Sequence, residues 1–304
     1  MWTIIDITER GTYLRILSGQ LGITKPDEPK RFVPVRDIAV LLLTEQAVGL
    51  TAAVLAELAS QGALVIVCNR TQQPVALLQP LHPSSTFVRT RAAQAEAGAV
   101  IKKRLWQSLV RRKILSQAQM LKRLGRVYED VQGMVLEVKS GDSDNQEARA
   151  ARYYWNRLGL FPVRNREAED ANQLFNYAYM VLYAIVARAI CATGLDPSLG
   201  LHHHNQYNAF CLASDLMEPY RVVADRAVLD WLQAHPGETA VTREAKGALI
   251  STMKTAKLSV GGMVQTLSEA VSISAVSLRE SILSGHDLLA LPELAESAEV
   301  APCG

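Results

Sequence analysis

Short runs rich in apolar residues, separated by turn residues, fill the first part of the chain. Residues 12–17 and 21–23 flank a Ser-Gly-Gln turn at 18–20, whose glycine suits a β-hairpin. The run at 38–43 is apolar throughout, which is typical of a strand buried on both faces. Further strands are predicted at 32–35, 63–68 and 75–78, with a short helix at 52–61. The pattern predicts a β-rich first domain over residues 1–84.

The pattern changes to helical periodicity after a Pro-Ser-Ser sequence at 83–85, which resembles a linker. The predicted helices cover about 85–126, 147–159, 170–193, 222–234, 242–258 and 263–284. The helix at 170–193 is apolar on nearly every side, as expected for a central core helix. We therefore expect an α+β protein with a helical second domain at 85–290. The acidic, alanine-rich segment 291–304 is predicted to be a flexible tail.

The amino-acid composition indicates what class of protein this is. The chain has 304 residues, 49% of them hydrophobic and 20% charged, as in a globular protein. Its four cysteines show no CxxC spacing, which favours reduced thiols in the cytoplasm over a disulfide framework. No secretory signal and no apolar run of about 18 residues is found, so we expect no membrane span.

Charge is strongly segregated although the net charge is only +2. Residues 97–128 contain no acidic side chain, and they carry nine basic ones: Lys102, Lys103, Arg104, Arg111, Arg112, Lys113, Lys122, Arg123 and Arg126. On one unbroken helix, Arg104, Arg111 and Lys122 lie near the same azimuth. Such a face is typical of phosphate binding, although a solvated helix surface is the alternative interpretation.

The segment 200–221 carries the most distinctive chemistry, with three consecutive histidines at 202–204 followed by Asp215 and Glu218. The two carboxylates are three residues apart and so share a face of a helix. Imidazole and carboxylate groups brought together are suitable ligands for Mn²⁺, Zn²⁺ or Mg²⁺. The alternative is a solvated histidine loop beside a charged helix surface.

Four segments resemble the CRISPR-associated integrases, the metal-dependent endonucleases that insert new spacers into CRISPR arrays. They are QEARAARYYW at 146–155, GLDPSLGLHH at 194–203, LASDLMEPYR at 212–221 and LTAAVLAELASQGALVIVCN at 50–69. The order of the segments also matches, and the resemblance covers nearly the whole chain. Length and the histidine loop are similar to the version found in type II systems.

The resemblance implies that Glu147, His203 and Glu218 bind one Mg²⁺ or Mn²⁺ ion. A slip of one residue within the histidine run would select His204 in place of His203. Asp215 would support the site or act as an occasional ligand. The residues expected to bind DNA are Lys102, Lys103, Arg104, Arg111, Arg112, Lys122, Arg126, Arg164 and Arg221. For Arg221, bridging to Asp215 or Glu218 is an equal alternative.

The resemblance further implies a β-sandwich-like first domain that forms a homodimer, and an all-α catalytic domain. The expected partners are prespacer duplex DNA, CRISPR repeat DNA and a smaller ferredoxin-like protein that bridges two dimers into a heterohexamer. The type II effector nuclease is a further candidate partner. The implied reaction is attack of a DNA 3′-hydroxyl on a phosphodiester. A non-catalytic DNA-binding scaffold and a different metal-dependent phosphodiesterase are the alternatives.

Overall fold

The computed structural model describes residues 3–26, 28–70, 74–80, 86–159 and 170–295. The strands are β1 (Thr3–Ile7), β2 (Tyr13–Leu17), β3 (Gln20–Thr24), β4 (Arg31–Pro34), β5 (Ile38–Leu43), β6 (Gly49–Leu50), β7 (Leu64–Cys68), β8 (Pro74–Leu78), β9 (Lys257–Val260), β10 (Met263–Thr266) and β11 (Glu293–Leu294). The helices are α1 (Ala52–Ser60), α2 (Phe87–Glu96), α3 (Ala99–Arg123), α4 (Glu129–Gly133), α5 (Gln146–Leu158), α6 (Asn172–Ala192), α7 (Cys211–Leu216), α8 (Arg221–Ala234), α9 (Arg243–Thr255) and α10 (Leu267–Ser284).

Two four-stranded sheets form the N-terminal part. One has the order β1-β5-β7-β8, with its first three strands parallel, and the other has the order β4-β3-β2-β6. The β2–β3 hairpin turns at Ser18 and Gly19, with φ angles of 47° and 73°. Positive φ at both central residues suits the twist of a hairpin, which confirms the predicted turn.

The sequence of β5 is apolar throughout because both faces of the strand are buried. Leu41 and Leu43 contribute to a core shared with Leu14 of the second sheet. Val40 and Leu42 face the other way and join the large core of the helical part. The first sheet is therefore a middle layer between the second sheet and the helices, and the prediction that 38–43 is a strand buried on both faces is confirmed.

Helix α6 runs through the centre of the helical part. Among the described residues it is the one helix long and apolar enough to cross a membrane by length and composition, and 72% of its apolar window is buried in the protein. Its Tyr177 hydroxyl donates to Asp6 of β1 at 2.9 Å. The helix therefore serves as the shared core element that the sequence predicted, and it ties the two parts together.

The predicted α+β fold with a mostly helical second part is confirmed, but this part is not all-α as expected, because β9, β10 and β11 form a small sheet within it. Residues 263–266 are a strand where the sequence pattern predicted the start of a helix. Gly261 and Gly262, with φ angles of 58° and 81°, form the hairpin turn between β9 and β10. A Gly-Gly pair is a hairpin signal that the helical periodicity of the following residues obscured.

Two boundaries also differ from expectation. The predicted helical region 85–126 is two helices, separated at Ala97 and Gly98. The segment predicted as a tail from residue 291 begins inside the fold, because β11 pairs with β9. Residues 296–304 and the predicted domain boundary at 84 lie outside the described residues.

Candidate active site

Glu147 sits in the first turn of α5, where the preceding loop fixes the helix start. The Asp142 carboxylate accepts hydrogen bonds from the backbone N–H groups of Gln146 at 2.9 Å and Glu147 at 3.0 Å. A carboxylate at this position satisfies donors that have no partner within the helix and complements the helix dipole. The polar loop before α5 therefore caps it and sets the position of Glu147.

The histidine loop is organised around the fully buried carboxylate of Asp215. It accepts hydrogen bonds from the backbone N–H groups of Leu201 at 2.6 Å, His202 at 3.2 Å and His203 at 3.1 Å. Gly200 is required at the start of this loop. A Cβ there would lie under 3.0 Å from the His203 carbonyl oxygen and 3.0 Å from Asp215 Oδ2.

The imidazole of His203 also binds Asp215, with 2.6 Å between Nδ1 and Oδ1. This hydrogen bond raises the pKa of His203, against the lowering effect of partial burial. The charges of Glu218 and Glu147 raise it further. Since Asp215 holds Nδ1, the Nε2 atom is the ring nitrogen left to bind a ligand.

The neighbouring histidines have other contacts. The exposed His204 ring contacts the His202 carbonyl oxygen through Nδ1. The His202 ring stacks on Trp106 of α3, with centroids 4.4 Å apart and planes inclined by 3°. Of the three histidines, His203 is therefore the one whose ring binds the buried carboxylate of Asp215. Its selection over His204 as a metal ligand stays a prediction.

Glu218 is buried, with 3% of its side chain exposed. Helix α7 ends at Leu216, so Glu218 opens the separate 3-10 helix Glu218–Tyr220. The Arg221 guanidinium donates to both carboxylate oxygens, from Nε at 2.9 Å and from the NH2 nitrogen at 2.8 Å. Burial alone would raise the pKa of Glu218, but the charges of Arg221 and Lys113 outweigh it and hold this pKa well below its ordinary value.

Sequence reasoning missed the residue that joins the two glutamates. Lys113 of α3 has 7% of its side chain exposed, and its ammonium contacts a Glu147 oxygen and lies 2.5 Å from Glu218 Oε2. The charge pattern alone places Lys113 with the other basic residues of the helix. The available signal was its spacing, because it follows Trp106 by seven residues and Leu109 by four, within the apolar stripe of α3.

The residues predicted to bind DNA occupy different environments. The helix is unbroken from 99 to 123, and the exposed residues of the set are Lys103, Arg104, Arg111, Lys122 and Arg126. Lys102 and Arg112 are half-buried, and Arg112 pairs with Glu293 at 3.0 Å. Arg221 is held by Glu218, and Arg164 lies outside the described residues.

The family profile described as CRISPR associated protein Cas1 matches residues 5–256. The chain belongs to the Cas1 family. A relative from Neisseria meningitidis, named CRISPR-associated endonuclease Cas1, is 32% identical over 249 residues, which are 81% of this chain and 82% of the relative. The family membership inferred from the four sequence segments is thus confirmed.

Solved structures show the same fold. A casposase bound to integration product superposes with a TM-score of 0.78 at 20% identity, over 95% of this chain and 92% of that one. A chain of a Cas6-RT-Cas1–Cas2 complex gives a TM-score of 0.76 at 17% identity, over 97% of this chain and 36% of that one. The β-rich N-terminal part and the mostly helical C-terminal part are therefore the arrangement of Cas1-like proteins.

The donor groups suit the metal ion that the family implies. Glu147 and Glu218 present oxygens to a common cation, and His203 has one ring nitrogen fixed by a carboxylate, as metal-binding histidines usually do. Within the described residues, no three His, Cys, Asp or Glu side chains are grouped closely enough to hold a metal ion together as they stand. The cation that Glu147 and Glu218 share in this structure is the Lys113 ammonium.

Proposed function

We propose that this chain is a metal-dependent DNA endonuclease and integrase that inserts spacer DNA into a CRISPR array. The observation that carries the proposal is the convergence of Glu147 and Glu218, from separate elements, on one cation beside the His203–Asp215 pair. Carboxylates that converge on one positive charge are the arrangement that a divalent cation requires. Family membership supplies the reaction class.

In the proposed site, Glu147, His203 and Glu218 hold one Mg²⁺ or Mn²⁺ ion. When bound, the metal supplies Lewis acidity that withdraws charge from a scissile phosphodiester. Asp215 keeps the His203 ring in position through Nδ1, and Arg221 fixes both oxygens of Glu218. These contacts determine the geometry of the donors before DNA arrives.

The proposed reaction is a transesterification. The 3′-hydroxyl oxygen of the incoming DNA forms a bond to phosphorus while the bond to the former 3′-oxygen breaks. The proton lost by the attacking hydroxyl is balanced by one taken up by the leaving oxygen. One phosphodiester replaces another, so the reaction needs no external energy source. With water in place of the hydroxyl, the same site cleaves DNA.

The basic face of α3 is proposed to hold the DNA backbone. Arg104, Arg111 and Lys122 line one side of an unbroken helix whose inner side supplies Lys113 to the site. Phosphate contacts of this kind position the duplex without reading its sequence. Helix α3 would thus connect the bound DNA backbone directly to Glu147 and Glu218.

We further propose a cytoplasmic homodimer of the type II version, built through the β-rich part, which binds a Cas2-like ferredoxin-like partner as a heterohexamer. Support for the partner comes from the similar chain in a complex with Cas2, and support for DNA comes from the similar casposase bound to integration product. The length and histidine loop of this chain support the type II version. An effector nuclease partner is part of the same proposal.

An integration assay tests the proposed function. A prespacer duplex and a plasmid carrying a repeat are incubated with the chain and its partner protein, with Mn²⁺, Mg²⁺ or EDTA. We expect joined product only when a metal is present, and its loss in Glu147→Gln, His203→Ala and Glu218→Gln. Asp230→Asn, a partly exposed change on α8, serves as the matched control. Full integration activity in any of the three site variants would show that the substituted residue is not part of the site.

A further inference from the structure

The lysine between the two glutamates has an unusual position for a residue of a DNA-binding helix. Lys113 lies on the buried side of α3, and its ammonium touches Glu147 of α5 and Glu218 of the 3-10 helix. Burying a charge is costly unless it is paired and hydrogen-bonded. Both of these partners are residues that the proposed site requires for metal binding.

The charges of Glu147, Glu218, Lys113 and Arg221 already balance one another without a metal ion. Glu147 and Glu218 carry two negative charges, and Lys113 and Arg221 carry two positive ones. A divalent cation added to the cluster would leave an excess of positive charge in a largely buried place. Such an excess is strongly unfavourable because few water molecules can screen it.

Both carboxylate oxygens of Glu218 are occupied as well. Glu218 Oε2 accepts from Arg221 Nε at 2.9 Å and lies 2.5 Å from the Lys113 ammonium, while Oε1 accepts from Arg221 at 2.8 Å. Arg221 pairs with Glu218, whereas Lys113 contacts both glutamates. The Lys113 ammonium joins the two carboxylates, and a metal ion that both of them held would compete with it for their oxygens.

We propose that Lys113 is a built-in competitor of the metal ion. Its ammonium holds Glu147 and Glu218 together when no metal is bound, and a divalent cation binds by displacing it from the carboxylates. The inference rests on the proposed function, since it assumes that these two glutamates are metal ligands. It assigns Lys113 a positioning role, distinct from DNA binding and from contact with the reacting atoms.

The direct test is Mn²⁺ binding to the full chain without DNA, measured by isothermal titration calorimetry. Lys113→Met removes the competing charge and keeps an unbranched side chain of similar length. We expect Mn²⁺ to bind this variant about tenfold more tightly or better, the equivalent of about 1.4 kcal/mol. Lys113→Arg keeps the charge and should bind Mn²⁺ no more tightly than the unsubstituted chain.

Thermal unfolding provides a second readout. In EDTA, Lys113→Met should unfold at a lower temperature, because the two carboxylates then face each other without their shared cation. Mn²⁺ should raise its melting temperature by more than it raises that of the unsubstituted chain. If Lys113→Met does not fold, Lys113→Gln is measured instead, since its amide still donates hydrogen bonds but carries no charge.

Lys246→Met is the matched control. Lys246 is also a buried lysine near a carboxylate, with 3.6 Å between its ammonium and Asp6, and it lies apart from the glutamate pair. Its loss should destabilise the chain without changing Mn²⁺ affinity. Equal or weaker Mn²⁺ binding by Lys113→Met would overturn the proposal and leave Lys113 as a permanent support of the site.

Carboxylate variants separate this failure from failure of the proposed function. Glu147→Gln and Glu218→Gln should each weaken Mn²⁺ binding. If they do so while Lys113→Met shows no gain, the metal site stands and the competitor role alone is refuted. If neither glutamate variant changes Mn²⁺ binding, the metal site itself is refuted.

Discussion

Replacing Asp215 by asparagine tests how the histidine loop is held. Each carboxylate oxygen receives two donors: Oδ2 accepts from the N–H groups of Leu201 and His202, and Oδ1 accepts from the N–H group and the Nδ1 atom of His203. Asparagine keeps one acceptor oxygen and turns an NH2 group toward the other pair of donors. Two hydrogen bonds are lost when the NH2 group faces the N–H groups of Leu201 and His202, and at least one is lost when it faces His203, whose Nδ1 atom can accept in the other tautomer.

The magnitude follows from the charge of the acceptor. Hydrogen bonds to a charged group contribute about 1.5–3 kcal/mol each, so the loss of one or two of them corresponds to about 1.5–6 kcal/mol. Asp215 is fully buried, and water cannot replace the missing acceptor without opening the loop. We therefore expect Asp215→Asn to destabilise the loop by several kcal/mol, and to lower the raised pKa of His203 toward its ordinary value.

Hydrogen exchange and urea unfolding measure this effect. The amides of Leu201 and His203 should exchange faster in Asp215→Asn, and NMR titration should show the fall in the His203 pKa. Asp230→Asn is the control, because Asp230 forms a half-exposed ion pair with Arg226 at 2.7 Å and should change stability by less than about 0.5 kcal/mol. Unchanged loop exchange with an unchanged His203 pKa would refute this geometry of the loop.

Three other perturbations probe the glycine, the basic face and the buried glutamate. Gly200→Ala should disorder the histidine loop and abolish integration without unfolding the N-terminal sheets. The reason is that its Cβ would meet Cys211 Cβ at 2.9 Å and the His203 carbonyl oxygen more closely still. Normal hydrogen-exchange rates in the loop would contradict this. Replacing Arg104, Arg111 and Lys122 together by glutamine should reduce the slope of log binding constant against log salt by up to about 2.7, at about 0.9 for each phosphate that is no longer neutralised, and an unchanged slope would show that the face is only solvated. Because the pKa of Glu218 is depressed in the folded state, its stabilising effect is fully present above the ordinary value of 4.5 and is lost as the pH falls below it, by about 1.4 kcal/mol per pH unit. Urea unfolding between about pH 5 and pH 3 should therefore show a shallower loss of stability in Glu218→Gln, and equal slopes would contradict the depressed pKa.

The sequence by itself determined the local features. The hairpin at Ser18 and Gly19, the doubly buried strand β5 and the core helix α6 follow from turn chemistry and apolar periodicity, which act over a few residues. It also determined the family, because the motifs around Glu147 and Glu218 are contiguous sequence. The prediction from sequence was wrong at β10, where the Gly-Gly turn favoured a strand and the helical spacing that follows favoured a helix.

Only the tertiary structure decided which charges meet. By charge alone Lys113 resembles its neighbours on the basic helix, and its place in the apolar stripe indicates only that it is buried. The packing of α3 against α5 decides that it meets Glu147. Asp215 and Glu218 are close in sequence, yet one organises the histidine loop and the other binds Arg221. Pairing depends on contacts between distant segments, so a local pattern can indicate which side of a helix is buried but cannot encode which carboxylate a buried charge meets.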